Sequence, residues 1–566
     1  MSTLKKSSIF LAVIFTATFF SQCTLKEDIA KITDAAKNLK ILIGTPEFNA
    51  LTHFEIKDAK TNEYITAVAT IKVTGKDAAS IYNNLGQKQT EYNSVLGMVD
   101  LVVDPHNVDS NLIKTKPIEF DVTIKAPGYN SVTKRVSLTE NKFKNIIVEL
   151  VKLDNAPEGV VVSQNQNFGT TNSTGALTQT STQTLNSGTV TVEVPKGVVM
   201  KDETGNPVTG TVESQVIFYD PMKSEGQEAI PGGLDVSANV NGNTENVQFV
   251  SAGMFGVNLT AGDQSVKTFE NGGIRIKTEL DPKLINPYTD KPIAENDVIE
   301  MWSVDEGSGE WKLEKMDTVR KVNGKLVLEE TVKHLSVWNW DFKREFCVNG
   351  SKIVWKGNTN KIANVRILAK GTDSIFSRTK NEYALPGHIT YGFSQFINVP
   401  RNEPVKIYLT SLDNNFTFTP STIDIANLCQ GNDIEVVITQ KDIITVKANL
   451  SLTAVSDPNV IIKPNGSIKM KKTNLKDWIV YPVKDGECDL YVQVNSDYDI
   501  SATYGNSTVS GKVRVNSVTG NKLQVVYTPI KLSGQTGESV TLPAVDKNAD
   551  NTVDVLYTII LESLDF

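Results

Sequence analysis

The segment Ile118-Glu119-Phe120-Asp121-Val122-Thr123-Ile124 decides the fold class of this chain. Apolar side chains at every second position alternate with polar ones, as they do in a β-strand with one buried face. The same period returns at Val190-Thr191-Val192-Glu193-Val194. Turn sequences such as Ala126-Pro127-Gly128-Tyr129-Asn130 separate such strands. The pattern therefore predicts an all-β fold.

The N-terminal residues have the pattern of a targeting segment. Lys5 and Lys6 precede an apolar run over residues 9–20, and Cys23 follows directly after Ser21-Gln22. The run is too short to span a bilayer comfortably, since a helix needs roughly 20 apolar residues. The stretch resembles a loose form of the lipobox of bacterial lipoproteins, which implies cleavage before Cys23 and its acylation at sulfur and nitrogen. The alternative is an ordinary secretory signal with an incidental cysteine.

Lys26-Glu27-Asp28 lies just beyond that cysteine. A lysine followed by two acidic residues at this place resembles the surface-transport signal of Bacteroidetes lipoproteins. The resemblance implies a protein held in the lipid of the outer membrane through acylated Cys23 and exposed at the cell surface; the alternative is the periplasmic leaflet. Apolar residues between 29 and 39 recur at helical spacing, so the tether is expected to contain a short helix.

The length and charge of the chain restrict its architecture and partners. With 566 residues the chain exceeds what one hydrophobic core organises, so several domains are expected. The net charge of -8 is mild and no long basic run stands out, which argues against a nucleic-acid partner. We predict a multi-domain string of Ig-like or transthyretin-like β-sandwiches behind a lipoprotein signal peptide.

Composition and turn signals divide the chain into seven predicted segments. They are a signal peptide (residues 1–22), a tether with a short helix (23–44), a first sandwich (45–152), a linker or exposed loop (153–187), a central β-rich domain (188–343), a further sandwich (344–440) and a C-terminal sandwich (441–566). The linker is predicted because residues 163–187 are dominated by Ser, Thr, Asn, Gln and Gly, which bury too little apolar surface to offset the entropy of ordering.

The first predicted sandwich resembles a known family. The segments Lys57-Asp58-Ala59-Lys60-Thr61, Ala67-Val68-Ala69-Thr70-Ile71 and Ala126-Pro127-Gly128-Tyr129 occur in that order. They are similar to the carboxypeptidase regulatory-like, or transthyretin-like, sandwich. The resemblance covers this segment alone and implies a binding or spacer module without catalysis.

Two tryptophan-bearing strands mark the central segment. Trp302 and Trp311 flank an acidic, glycine-rich turn, and His334-Leu335-Ser336-Val337-Trp338-Asn339-Trp340-Asp341 follows. The block resembles the ectodomain of cartilage intermediate layer proteins and related bacterial surface lipoproteins, which implies no catalytic residues. Trp302, Trp311, Trp338 and Trp340 can form an aromatic platform for a sugar ring. The alternative is that they are core and cross-strand residues, with Trp338 and Trp340 on one strand face by parity.

The four cysteines and four histidines favour neither a zinc site nor a Cys-His catalytic site. With Cys23 on lipid, an exported protein can form a Cys347–Cys429 bridge, and three buried thiols are the alternative. The loop Asp546-Lys547-Asn548-Ala549-Asp550-Asn551-Thr552-Val553-Asp554 places oxygen side chains at calcium-loop positions through Asp546, Asn548, Asp550 and Asp554. Tyr557 replaces the usual bidentate Glu, so a polar turn is the alternative to calcium.

No hydrolase motif is visible, neither G-x-S-x-G nor H-E-x-x-H. We therefore predict a non-enzymatic surface protein for binding, adhesion or scaffolding, with a glycan or protein ligand and no cofactor other than calcium. The alternative is a glycoside hydrolase or esterase with accessory sandwiches, which needs two carboxylates or a Ser-His pair brought together in a pocket.

Overall fold

A computed structural model describes most of the chain. The described residues are 41–44, 49–104, 116–138, 141, 143–185, 189–231, 234–289, 291–304, 310–344, 346–357, 363–371, 377–384, 395–400, 404–454, 459–504, 507–518, 520, 522–530, 540–541, 544–546, 548 and 552–561. Strands make up 65% of the structure and helices 2%, so the predicted all-β class is confirmed.

The first sandwich consists of two four-stranded sheets. The strands up to its end are β1 (Ile41–Gly44), β2 (Asn49–Asp58), β3 (Thr70–Thr74), β4 (Ile81–Asn83), β5 (Glu91–Asn93), β6 (Met98–Val103), β7 (Ile118–Lys125), β8 (Val132–Leu138) and β9 (Lys144–Leu150), with a 3₁₀ turn at Ala78–Ser80. The sheet orders are β4-β6-β2-β9 and β5-β3-β7-β8, while β1 pairs elsewhere. As predicted, the alternating apolar side chains of β7 are buried in one core with Phe54 of β2.

The central segment contains two larger sheets. Its elements are β10 (Val160–Thr171), β11 (Ser181–Leu185), β12 (Val190–Val194), β13 (Val199–Lys201), β14 (Gly210–Tyr219), α1 (Ser224–Glu228), β15 (Asp235–Val240), β16 (Asn243–Ala261), β17 (Gln264–Ser265), β18 (Thr268–Glu270), β19 (Ile274–Leu280), β20 (Ile285–Asn286), β21 (Lys291–Pro292), β22 (Val298–Val304), β23 (Trp311–Thr318), β24 (Arg320–Val322), β25 (Lys325–Val332) and β26 (Val337–Arg344). One sheet has the order β10-β14-β16-β15-β23-β22-β26, and the other β11-β12-β19-β25-β24.

Five strands of the first of these sheets close on themselves. The long strand β16 pairs with β15 and also with β26, so the path β16-β15-β23-β22-β26 returns to β16. We call these five strands the strand ring. On β26, Trp338, Trp340 and Phe342 face outward into the core shared with the second sheet. Because successive strand residues point to opposite faces, Asn339 and Asp341 face inward.

The predicted linker is wrong for residues 160–171 and 181–185, which form β10 and β11. Residues of β11 alternate between buried and exposed, and the buried ones include the polar Gln183. Its Nε2 donates to Ser163 Oγ at 2.9 Å, and Ser214 donates to its Oε1. The polar composition of this stretch does not make it a linker, because hydrogen bonds satisfy the polar side chains that occupy interior strand positions.

The segment after the strand ring contains a second pair of four-stranded sheets. Its strands are β27 (Phe346–Lys356), β28 (Ala363–Gly371), β29 (Ser377–Ala384), β30 (Gln395–Pro400), β31 (Val405–Ser411), β32 (Phe416–Thr419), β33 (Thr422–Ile425) and β34 (Asp433–Gln440), with a 3₁₀ turn at Leu428–Gln430. The sheet orders are β30-β27-β34-β32 and β29-β28-β31-β33. Trp355 and Phe418 are in the core that these sheets share.

The C-terminal segment adds two further sheets. Its strands are β35 (Ile444–Ala454), β36 (Val460–Lys463), β37 (Gly466–Lys472), β38 (Ile479–Val483), β39 (Glu487–Val492), β40 (Asp497–Tyr504), β41 (Ser507–Val518), β42 (Lys522–Ile530), β43 (Val540–Thr541), β44 (Val545–Asp546) and β45 (Thr552–Leu561). One sheet combines β36, β35, β39 and β45, and the other has the order β38-β37-β40-β41-β42-β43, with β44 on β42.

Strand β1 belongs to this last pair of sheets. It lies parallel to β36, with Ile41 opposite Val460 and Gly44 opposite Lys463. The last four residues of the predicted tether therefore form a strand, which corrects the expectation for residues 23–44. No local sequence pattern indicates the pairing of β1 with β36, because the two strands lie hundreds of residues apart in the chain.

Candidate functional site

The structure buries the four tryptophans predicted as a ligand platform. Each is at most 2% exposed. Trp302 and Trp311 lie inside the strand ring, where their aromatic centroids are 5.0 and 5.4 Å from that of Phe249. Trp338 and Trp340 lie on the outer face, in the core shared with the second sheet. A sugar cannot stack on side chains that solvent does not reach, so the platform prediction is wrong and the core alternative is correct.

Four polar side chains share the inside of the strand ring: Ser251, Glu300, Asn339 and Asp341, which we call the ring cluster. Glu300 and Asp341 are direct partners on β22 and β26, and Ser251 is the partner of Asp341 on β16. Asn339 and Asp341 are 0% exposed and Glu300 is 9% exposed. Ser251 donates a hydrogen bond to Asn339 Oδ1 at 2.7 Å.

Several polar atoms of the ring cluster have no hydrogen-bond partner among the described residues. They are both carboxylate oxygens of Asp341, Glu300 Oε2 and Asn339 Nδ2. Tyr288 donates to the other Glu300 oxygen at 2.9 Å. Burial first, and the neighbouring Glu300 charge second, raise the pKa of Asp341 well above its usual range, while Ser251 partly offsets the rise.

A second buried polar cluster joins the first sandwich to the C-terminal segment. It consists of His53 on β2, Asp100 on β6 and Ser467 on β37, and we call it the junction cluster. His53 Nδ1 lies 2.7 Å from Asp100 Oδ1 and 3.0 Å from Ser467 Oγ. The Ser467 hydroxyl donates to both Asp100 oxygens, at 3.1 and 3.0 Å. The exposures of His53, Asp100 and Ser467 are 1%, 6% and 7%.

The junction cluster has the residue types of a hydrolase triad without its geometry. In a triad one imidazole nitrogen accepts the serine proton and the other faces the carboxylate. Here Nδ1 of His53 is close to both Ser467 and Asp100, and the serine hydroxyl donates to the carboxylate. Since no substrate reaches residues so deeply buried, these contacts act as a structural tie.

Glycine at position 466 permits this close approach between the two sandwiches. A Cβ atom there would lie 3.0 Å from Asn84 Nδ2 and 3.2 Å from Asp100 Oδ2. Such distances are shorter than ordinary van der Waals contacts, so a larger residue would push β37 away from β6.

A buried lysine lies beside the junction cluster. Lys469 Nζ is 3.7 Å from the centroid of the Tyr64 ring and 4.9 Å from that of the Trp478 ring. Burial lowers the pKa of Lys469 from 10.5 to about 8, although the charge of Glu55 acts in the opposite direction. Two aromatic faces from different sandwiches thus hold one cation between them.

The predicted calcium ligands lie in and around two C-terminal strands. Asp546 ends β44 and Asp554 is in β45. Asn548 Nδ2 lies 3.3 Å from Asp554 Oδ2, so the amide group donates to that carboxylate. Asp550 lies outside the described residues. Among the described residues, no group of three or more His, Cys, Asp or Glu side chains has the geometry of a metal site, and calcium at this loop stays a prediction.

The remaining predicted sites concern the cysteines. Cys347 and Cys429 form a disulfide in the structure, with their Cα atoms 5.7 Å apart. Cys488 is a buried free thiol, and burial raises its pKa to about 12. Cys23 lies outside the described residues, so its lipidation stays a prediction.

Sequence reasoning missed both polar clusters. The members of the junction cluster come from strands separated by 367 and 414 positions, so nothing local indicates them. For the ring cluster a partial signal exists, because Asn339 and Asp341 alternate with Trp338 and Trp340. Alternation normally assigns the polar face of a strand to solvent, and only the closure of the strand ring makes that face interior.

Comparisons with known proteins return weak structural likenesses. No family model matches the chain. No curated protein matches it either. A search of the described residues finds no helix that is both long and apolar enough to cross a membrane.

Three solved structures illustrate the likeness. The Bacillus anthracis TIE protein is 9% identical with a TM-score of 0.14, over 72% of this chain and 58% of that one. A streptococcal ancillary pilin is 9% identical with the same TM-score, over 48% of this chain and 94% of that one. The pilus adhesin SpaC from Lactobacillus rhamnosus GG is also 9% identical, with a TM-score of 0.14, over 91% of this chain and 56% of that one. The chain thus spans less than two thirds of the length of the first of these proteins. The strands described above, and not these scores, establish the fold class.

Proposed function

We propose that this protein is displayed on the outer membrane by acylated Cys23 and serves there in binding, adhesion or scaffolding without catalysis. The ligand would be a glycan or a protein, bound by surfaces of the sandwiches. The signal sequence before Cys23 and the Lys26-Glu27-Asp28 segment after it support the location.

One structural observation carries the proposal. Strand β1, which follows the tether, pairs with β36 of the last segment, while β2 to β9 form the first sandwich. The junction cluster ties the same two regions by buried hydrogen bonds. The strand to which a lipid tether would attach is therefore paired with the C-terminal segment, which in turn is tied to the first sandwich. Such a fixed attachment point suits a protein that holds a partner away from a membrane.

The enzymatic alternative gains no support from the described geometry. An esterase needs a serine that a substrate reaches, and Ser467 is buried between two sandwiches. A glycoside hydrolase needs two carboxylates that flank a sugar, and Glu300 and Asp341 face each other inside the strand ring.

Binding of the purified full chain to arrays of glycans and of extracellular matrix proteins tests the proposal. Ester and glycoside substrates are assayed in parallel, with Ser467→Ala and Glu300→Gln variants as matched controls. We expect saturable binding to at least one array member and no turnover. Turnover that either variant abolishes would replace the proposal with the enzymatic alternative. A chain that neither binds nor hydrolyses would contradict the capture of a glycan or matrix protein and leave only scaffolding.

A further inference from the structure

The ring cluster presents two buried acidic groups without a positive partner in the described chain. Glu300 and Asp341 are opposite each other across β22 and β26. Lys343, two residues beyond Asp341, donates instead to Glu245 Oε1 at 2.6 Å. A buried ionised carboxylate is costly unless a counter-charge or hydrogen-bond donors compensate it, so this arrangement calls for a proton or a cation.

The unpartnered amide of Asn339 is a second, independent pointer to a ligand. Asn339 is 0% exposed and shares the inward face of β26 with Asp341. Only its Oδ1 has a partner, the hydroxyl of Ser251, and Nδ2 has none. Amide orientation is assigned from such networks, and a hydroxyl can accept as well as donate. With the amide turned over, Nδ2 donates to Ser251, which also accepts from the backbone N–H of Gly253 at 3.2 Å, and Oδ1 becomes an oxygen ligand on the face that carries the two carboxylates.

We propose that Glu300, Asn339 and Asp341 form a binding site for a divalent cation of the calcium or magnesium class, with Ser251 orienting the amide of Asn339. Carboxylate, amide and hydroxyl oxygens are hard ligands that these ions prefer over nitrogen or sulfur. The cluster has only two acidic members, so the amide oxygen of Asn339 and water complete the coordination. This site is separate from the predicted loop at residues 546–554.

The end of the strand ring gives the ion a route to the cluster. Met316 is the direct strand partner of Glu300 and is 54% exposed. Tyr288 is 53% exposed, and its hydroxyl donates to Glu300 while it accepts from the backbone N–H of Lys343 at 2.9 Å. Rotation of these two rim side chains would open the acidic end without disturbing the tryptophans at the other end.

Calorimetric titration of the chelator-stripped full chain with calcium and with magnesium tests the proposal. We expect one site, weakened about tenfold or more by Asp341→Asn and by Glu300→Gln. Asp317→Asn is the matched control, because Asp317 is 5% exposed and has an unpartnered oxygen but pairs with Ile299, whose side chain lies in the core outside the strand ring. An Asp546→Asn, Asp554→Asn double variant should retain the site. Affinity lost in the double variant and kept in Asp341→Asn would overturn the proposal.

Terbium luminescence keeps the test valid if a ring-cluster variant fails to fold. Terbium binds oxygen ligands as calcium does and emits when a nearby tryptophan is excited. Trp302 is in the strand ring, whereas residues 540–561 contain no tryptophan. We expect sensitised emission from the wild-type chain that calcium displaces. If the wild-type chain shows no such emission and no calorimetric binding, a proton alone satisfies the two carboxylates and the proposal is wrong.

Discussion

The two buried polar clusters differ in how well their carboxylates are satisfied, although Nε2 of His53 in the junction cluster also has no partner among the described residues. In the junction cluster, Asp100 accepts from His53 and from Ser467, so its negative charge has donors on both oxygens. In the ring cluster, neither oxygen of Asp341 has a partner at hydrogen-bond geometry, the Ser251 hydroxyl only partly offsets its raised pKa, and Asp341 faces a second carboxylate. The first arrangement stabilises contact between two sandwiches. The second is costly as it stands, which is the usual mark of a site made for something other than stability.

The largest expected effect concerns Lys469, beside the junction cluster. Its pKa falls from 10.5 in the unfolded chain to about 8 in the fold. A group with a lowered folded pKa adds stability above the unfolded pKa, and that stability is lost as pH falls through the folded value. Between pH 8 and 10.5 the free energy of unfolding should rise by about 3 kcal/mol in the wild type relative to Lys469→Met. Chemical denaturation at a series of pH values measures this difference.

Lys471→Met is the matched control for that experiment, because Lys471 is on the same strand and also lies near Trp478. Its profile should keep the same rise, displaced slightly to higher pH, because the charge of Lys471 is the smallest of the contributions that act on the pKa of Lys469. Identical profiles for the wild type and Lys469→Met would mean that Lys469 is not held as a buried cation between the two sandwiches.

The next largest effect is on the junction cluster itself. Asp100→Asn removes the carboxylate that two donors share, so we expect about 2 kcal/mol of destabilisation. Glu91→Gln, an exposed change in the same sandwich, should cost less than about 0.5 kcal/mol. Equal midpoints of unfolding for these two variants would show that the tie is not formed in solution.

The corresponding Asp-to-Asn substitution in the ring cluster should stabilise the fold, whereas Asp100→Asn destabilises it. In the presence of a chelator, Asp341→Asn removes one of two facing acidic groups and the cost of burying it, so we expect about 1 kcal/mol of stabilisation at neutral pH. An acid whose folded pKa is raised stabilises the fold below its unfolded pKa, and the gain is lost as pH rises through the folded value. The metal-free wild type should therefore lose stability relative to the variant as pH rises above 4. A variant less stable than the wild type under these conditions would mean that Asp341, like Asp100, stabilises the fold.

The smallest expected effect is at the rim of the strand ring. Tyr288→Phe removes the hydrogen bond to Glu300 and the one from Lys343, and should cost about 0.5–1 kcal/mol. Thermal unfolding of both proteins measures it. Val298→Ala, a change at an exposed side chain on β22, serves as the control. A larger loss for the control would mean that Tyr288 does not hold the rim.

The alternation of apolar and polar residues predicts which positions of a single strand are buried and which share a face. The buried positions of β7 and the shared face of Trp338 and Trp340 both follow from the period of two. Sequence could not predict the partners of β1, nor the closure of β16 onto both β15 and β26, because pairing between distant strands depends on the whole fold. The linker prediction fails for a different reason, since the polar side chains of Gln183 and Ser214 are buried in strands and hydrogen-bond to each other.

Protease treatment of intact cells tests the proposed surface display most directly. Cells that produce the full chain, or its Cys23→Ala variant, are exposed to an added protease before fractionation. The account predicts that the wild type sediments with the outer membrane and is degraded on intact cells, and that Cys23→Ala is released from the membrane. A wild-type chain that resists the protease until cells are lysed, or a variant that stays membrane-bound, would contradict it.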